Sequence, residues 1–317
     1  MVRHFLKDDD ITPAEQRAIL ELTAQLRNRR YLEQPLLGPK AVAFITDKPT
    51  LRTQASFAIG IAELGGFPLM VDGNLAQIGV RESVADTTRV LDRMVSAIVW
   101  RTFADERIEE MAAVSKVPVI NALTDGYHPC QILADLATIA QHLGGVRALP
   151  GKVLTYLGDG ANNMANSYLL GGATAGMHVQ IACPAEYEPD PAIVARAADI
   201  AATTGGSVAV LHDPRQGVAG ADVVATDTWV SMGTEAEAAE RKAILAPYQL
   251  NSELLAGARQ DALVLHCLPA YRGSEITAAV IDGPQSVVFD EAENRLHAQK
   301  ALMVWLLANQ NTAVPTL

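Results

Sequence analysis

The chain has 317 residues, more than a single hydrophobic core usually serves, which points to two domains. Hydrophobic residues make up 49% and charged residues 19%, the balance of a packed globular protein and not of a disordered chain. The net charge of −11, with Lys and Arg scattered and no basic stripe, argues against nucleic acid as a partner. The opening MVRHFLKDDD has no apolar run of signal-peptide length, and no stretch approaches a membrane span. Cys130, Cys183 and Cys267 form an odd count without metal-like spacing, so reduced thiols in a cytoplasmic protein are expected.

Short runs rich in Val, Ile and Ala alternate with amphipathic stretches. The first half predicts strands over Ala41–Thr46, Pro68–Val71, Ala97–Arg101 and Pro118–Ala122, with helices over Ser56–Leu64, Glu82–Met94 and Cys130–Leu143. The pattern then breaks at HLGGVRALPGK (His142–Lys152), where glycines and a proline interrupt it. Beyond the break, strands are expected over Val153–Gly158, His178–Ala182, Ser207–Leu211, Asp222–Thr226, Ala262–Cys267 and Ser286–Phe289. Helices are expected over Met164–Ala175, Pro191–Thr204 and Glu291–Leu307. Apolar runs of this kind are buried on both faces, and the alternation predicts parallel sheets flanked by helices. The fold class is therefore α/β, with two similar-sized domains over residues 1–147 and 148–317. The terminal helix, 291–308, is expected to pack back onto the first.

Polar clusters fall where these strands end. The stretch TDKPTLRTQASF (Thr46–Phe57) puts a lysine, a stiffening proline, hydroxyls and an arginine just before an apolar helix. Free N–H groups and the positive dipole end at a helix start, with Thr50, Thr53 and Arg52 beside them, suit phosphate oxygens. An ordinary N-cap at Thr50 with surface charges explains the stretch as well. WRTF puts Arg101 at a strand end, HPCQ (His128–Gln131) opens a helix, and GDGANN, DTWVSMG and HCLP follow three later strands. Ligands bind outside the carboxyl ends of strands in open α/β sheets, so these clusters can converge. Gly158 and Gly160 hint at a dinucleotide fingerprint, but Asn163 stands at the third glycine position, and IACP ends the next strand without a ribose-binding acid. His266 and Cys267, adjacent on a strand, face opposite ways and cannot pair directly. No histidine–carboxylate spacing indicates a metal.

Taken in order, KPTLRT, WRTF, HPCQILADLATI, GDGANN, DTWVSMG, HCLPAYRG and DEAENRLHAQKAL resemble the carbamoyltransferases, and among them the ornithine carbamoyltransferases. The likeness spans essentially the whole chain, and HPCQ, SMG and HCLP are its most specific blocks. It implies a carbamoyl phosphate domain followed by an ornithine domain, a homotrimer or an assembly of trimers, no cofactor, and transfer of the carbamoyl group to L-ornithine in arginine metabolism.

By motif, the resemblance assigns carbamoyl phosphate to Thr50, Leu51, Arg52, Thr53, Arg101, His128, Gln131 and Arg295. Gln77 matches a glutamine that reaches a neighbouring subunit's site, and Cys267 and Leu268 lie where the substrates meet. Ornithine falls to Asn163, Asp227, Ser231 and Met232. Arg52, Arg101, His128 and Cys267 carry the chemistry in this assignment, with the Cys267 thiolate favoured by nearby positive charge. The loop departs from the family's common Ser-Thr-Arg-Thr-Arg at Leu51 and Gln54, which puts carbamoyl phosphate affinity in question. Lysine or putrescine as acceptor, or a non-catalytic paralogue, are the competing readings.

Overall fold

The computed structural model describes residues 2–230 and 237–310. Two compact units emerge: residues through Ala134 together with the chain from Glu293 onward, and Asp135–Ala292. The division falls inside the helices Pro129–Leu143 and Val288–Ala308, each of which contributes to both units. The boundary expected at residue 147 falls in the connection between the helix Pro129–Leu143 and the strand that begins at Val153.

The first unit holds strands β1 (Ala41–Thr46), β2 (Phe67–Asp72), β3 (Ala97–Arg101) and β4 (Val119–Leu123). They form an all-parallel sheet in the order β2-β1-β3-β4, with Thr46 level with Asp72 on one side and Arg101 on the other. All five residues of β3 are buried, as an interior strand covered on both faces requires. The free edge of β4 is covered by the N-terminal segment: Phe5 N–H donates to the Val119 carbonyl at 2.9 Å, and Asn121 N–H donates to the Phe5 carbonyl at 2.8 Å. The helix Pro13–Asn28 follows a capping box in which Thr12 and Glu15 satisfy each other's backbone N–H.

The second unit contains β5 (Val153–Leu157), β6 (His178–Ala182), β7 (Ser207–Leu211), β8 (Val223–Thr226) and β9 (Leu263–His266), again parallel, in the order β7-β6-β5-β8-β9. A tenth strand expected over Ser286–Phe289 does not form. Ser286 makes one isolated bridge to Val264, and the terminal helix already starts at Val288. A short apolar run reads the same whether it opens a helix or makes a strand.

Strand order reverses between β1 and β3 in the first sheet and between β5 and β8 in the second. Each reversal opens a crevice at the carboxyl ends of the strands.

Candidate active site

The first crevice is built by the loops after β1, β3 and β4. The helix after β1 runs over Arg52–Glu63 and begins one residue later than a Thr50 cap would place it. Its N-cap is Leu51, whose side chain makes no capping hydrogen bond to the first N–H groups. The Leu51 side chain projects outward, 78% exposed, and Gln54 is exposed too. Thr53 is fully buried, and its hydroxyl oxygen is a meeting point: Arg295 Nη2 donates to it at 2.6 Å and Arg101 Nη1 reaches it at 3.5 Å. Arg295 comes from the terminal helix, 242 positions away in the chain.

His128 and Gln131 complete this group. The His128 carbonyl accepts from Gln131 N–H at 2.9 Å, which starts the helix Pro129–Leu143 with proline in its first position. Both side chains are buried. Burial, then the positive charges of Arg295, Arg101 and Arg52, hold the His128 imidazole well below its ordinary pKa, so the ring is neutral at physiological pH. Three guanidinium groups acting on one buried ring make its surroundings strongly positive.

Around the pocket lies polar bracing that sequence reasoning missed. Thr124 donates to Asp105 and accepts from Asn121 Nδ2 at 2.9 Å, fixing the turn before His128. Lys48 pairs with Asp125 at 2.6 Å and sits 4.6 Å over the Phe103 ring, joining the loops after β1 and β4. Gln77 is exposed, at the end of the short helix Gly73–Ala76, on a turn whose Leu75 and Val80 are 81% and 83% exposed.

The second crevice gathers Asn163, Asp227, Cys267 and Leu268 after β5, β8 and β9. Asn163 opens the helix Asn163–Thr174, capped by Asn162, whose side-chain oxygen accepts from Ala165 N–H at 2.9 Å. Asp227 Oδ1 accepts from Thr228 N–H at 2.7 Å and from the Cys267 thiol at 3.1 Å. Ser231 and Met232 lie outside the described residues. The expected Cys267 thiolate is not what this environment favours. Burial first, then the carboxylates of Asp227, Glu291 and Asp135, push the thiol pKa well above its ordinary value. Cys267 is a donor here.

Its turn is held by the neighbouring histidine. His266 Nδ1 accepts from Leu268 N–H at 2.9 Å, which leaves the proton on Nε2 for buried Glu275 at 3.1 Å. Leu268 takes a left-handed backbone, φ 57°, a conformation that needs such support. Ligand atoms of Asp227, His266 and Cys267 lie within 4.8 Å of one another, close enough for a metal ion. Both ring nitrogens of His266 are already engaged, however, so binding one would break the turn.

Residues 3–141 match the model of the aspartate/ornithine carbamoyltransferase carbamoyl-P binding domain, and residues 150–306 match that of the Asp/Orn binding domain. The chain belongs to the aspartate/ornithine carbamoyltransferase family. The ornithine carbamoyltransferase of Renibacterium salmoninarum is 62% identical over 97% of this chain and 99% of its own length. Among solved structures of the family, the ornithine carbamoyltransferase of Pyrococcus furiosus is 43% identical with a TM-score of 0.92, covering 97% of this chain and 98% of that one. An acetylornithine transcarbamylase complexed with acetylcitrulline is 31% identical with a TM-score of 0.87, covering 96% of this chain and 99% of that one. The family's two domain models fall on the two parallel sheets, so the positive crevice lies in the carbamoyl-P domain and the acid-lined one in the Asp/Orn domain.

Proposed function

We propose that this carbamoyltransferase moves the carbamoyl group of carbamoyl phosphate to the δ-amine of L-ornithine, giving L-citrulline and phosphate. The observation that carries it is the meeting of Arg101 and Arg295 at Thr53, beside Arg52 and His128, at a helix start whose N-cap residue, Leu51, makes no capping bond. Such a pocket stabilises a phosphate dianion through guanidinium forks and the N–H groups of the helix start.

In the reaction the acceptor ammonium first loses a proton to solvent; the neutral amine nitrogen then bonds to the carbonyl carbon as the C–O bond to phosphate breaks, and its second proton passes to the departing phosphate. Arg101, His128 and Gln131 polarise the carbonyl and hold the oxygen as negative charge develops on it. The neutral His128 ring does so as a hydrogen-bonding partner, since it cannot hold a proton among three guanidinium groups. Arg52, Thr53 and Arg295 stabilise charge on the departing phosphate, alongside Thr50 and Leu51 of the same loop. Gln77, on its exposed turn, serves a neighbouring copy in a homotrimer or assembly of trimers. Exposed Leu51, Phe67, Leu75, Val80 and Met94, all on the first unit, support association.

Asp227 and Asn163, with the Ser231–Met232 segment, hold the diamino acid, and Cys267 and Leu268 border its reactive end. The carboxylates around Cys267 favour a cationic acceptor, and a thiol held protonated orients that acceptor instead of deprotonating it. No step calls for a metal or organic cofactor, because the leaving group is already activated. Three free cysteines support a cytoplasmic enzyme of arginine metabolism, and among the described residues no helix is long and apolar enough to cross a membrane.

Ornithine is preferred over N-acetylornithine because identity is 62% to an ornithine carbamoyltransferase against 31% to the acetylornithine enzyme. Assays with carbamoyl phosphate and ornithine, N-acetylornithine, lysine or putrescine decide it. Ornithine should lead by about a hundredfold in kcat/KM, as expected for a site with a dedicated amino-acid clamp. Equal or faster turnover with another acceptor would overturn the assignment, and tight binding without turnover would favour a non-catalytic paralogue.

A further inference from the structure

Arg107 lies on the helix Asp105–Val114, and no site motif includes it. Its guanidinium nevertheless touches three separate segments of the first unit. Nη2 donates to the Ile78 carbonyl at 2.9 Å and reaches Asp47 Oδ2 at 3.4 Å, while Nε donates to Thr102 Oγ1 at 3.0 Å. The group also stacks 5.1 Å from the centre of the Trp100 ring.

Asp47 collects the same neighbours. Its buried Oδ2 accepts from Thr102 Oγ1 at 2.6 Å and from Trp100 Nε1 at 3.1 Å. Asp47 leads directly into the anion loop, and Trp100 and Thr102 flank Arg101. One carboxylate and one guanidinium therefore fix the loop after β1 against the end of β3.

The third segment is the turn that carries Gln77. A Cβ at Gly73 would stand 1.7 Å from Asp47 Oδ1, so the turn can sit on Asp47 only with glycine there. A Cβ at Gly79, where φ is +79°, would fall 3.2 Å from Arg107 Nη1. Between them Gln77 adopts φ 49° and ψ 45°, a left-handed conformation that costs a non-glycine residue free energy and persists where its surroundings hold it. The carbonyl that Arg107 grips belongs to the very next residue.

We propose that Arg107 is a positioning residue, locking the anion loop and the Gln77 turn into one frame so that the loop presents its donors to carbamoyl phosphate in its own crevice and Gln77 presents its amide to that of a neighbouring copy. The inference rests on the reading of that loop and of Gln77 given above. The test uses Arg107→Met, which keeps length and loses the donors, and Arg107→Lys, which keeps the charge but cannot reach all three segments at once. Arg107→Met should raise KM for carbamoyl phosphate about tenfold or more and leave KM for ornithine within about twofold, a split that general destabilisation does not produce. Combined with Gln77→Ala, it should lose no more than the worse single variant, since both remove one arrangement.

A carbamoyl phosphate KM within about twofold of the parent, or losses that multiply in the double variant, would overturn the proposal. Should Arg107→Met fail to fold, Arg107→Lys decides, with about a threefold rise in the same KM expected and a parent-like value overturning it. If the parent transfers no carbamoyl group at all, the functional reading fails separately. Calorimetry with inorganic phosphate then judges Arg107 by itself: weaker binding in the variant upholds the role, and unchanged binding ends it.

Discussion

The terminal helix is tied to the anion-loop helix by a buried ion pair whose removal has a calculable signature. Lys300 is fully buried, and its ammonium donates to Glu63 Oε2 at 2.7 Å and to the Arg30 carbonyl. Glu63 keeps a second cation, Arg30 Nε at 2.5 Å, whose side chain is 45% exposed. The register matters to the site, because the same helix pair brings Arg295 to Thr53. Removing one partner of a buried pair typically costs about 3–5 kcal/mol, whereas a matched apolar pair is often neutral. Lys300→Met leaves Glu63 with Arg30 and belongs at the low end, about 3 kcal/mol. Glu63→Leu strands a buried ammonium on a single carbonyl and belongs at the high end, about 5 kcal/mol. The double variant strands no buried charge; it loses the donor to the Arg30 carbonyl and the Arg30–Glu63 pair, whose guanidinium stays half-exposed to water, together about 2 kcal/mol. Thermal unfolding at fixed protein concentration reads this at roughly 2–4 °C per kcal/mol. The double variant should therefore melt above both singles. A double variant whose loss equals the sum of the singles would refute the buried-pair reasoning.

Arg52→Ala should lower kcat/KM for carbamoyl phosphate by about a hundredfold, the scale of one charge-stabilising donor, with the particle mass unchanged by light scattering; near-parental turnover would remove Arg52 from the chemistry. Because burial and the Asp227 carboxylate hold Cys267 protonated, its alkylation by iodoacetamide should still be climbing at pH 9. Asp227→Asn should speed it, and a plateau below pH 9 would show a thiolate. Burial pushes the Cys130 thiol up to about 12, so below its unfolded value of about 8.5 it is neutral in both states and costs nothing. Above that pH only the unfolded thiol ionises, and stability falls by about 1.4 kcal/mol per pH unit until the folded value is reached. Cys130→Ala, though less stable at neutral pH, should therefore lose about 2 kcal/mol less than the parent between pH 8.5 and 10 in urea titrations. An unchanged pH slope would refute the shift.

Much of the fold was legible because a strand buried on both faces leaves an unbroken apolar run. AVAFIT and AIVWR could hardly be anything else, and both are strands over the expected residues. SVVF failed for the same reason it looked persuasive, since four apolar-rich residues fit the opening turn of Val288–Ala308 equally well. Thr50 failed as a cap because a threonine before a helix says nothing of where the first helical turn closes. The loop places that closure at Leu51, which has no hydroxyl to cap it.

The candidate site was legible only where its polar residues sit next to a strand end. Arg101 and His128 announce themselves in this way. What holds them does not, because Asp47 with Arg107, Glu63 with Lys300 and Thr53 with Arg295 are separated by 60, 237 and 242 positions. Cys267 shows how far such distant partners can change the chemistry. Its neighbours in sequence, HCLPAYRG, offer a histidine and an arginine and suggest a thiolate. In the fold the histidine is occupied by Leu268 and Glu275, and the charges acting on the sulfur are the carboxylates of Asp227, Glu291 and Asp135. A residue's ionisation follows from what packs around it, so a sequence motif can name the sulfur without revealing whether it carries the proton. The first unit surrounds His128 with cations and strips its proton, while the second surrounds Cys267 with anions and makes it keep one. Opposite fields on two ionisable groups suit an anionic donor and a cationic acceptor, and neither field could be read from the residues adjacent to them.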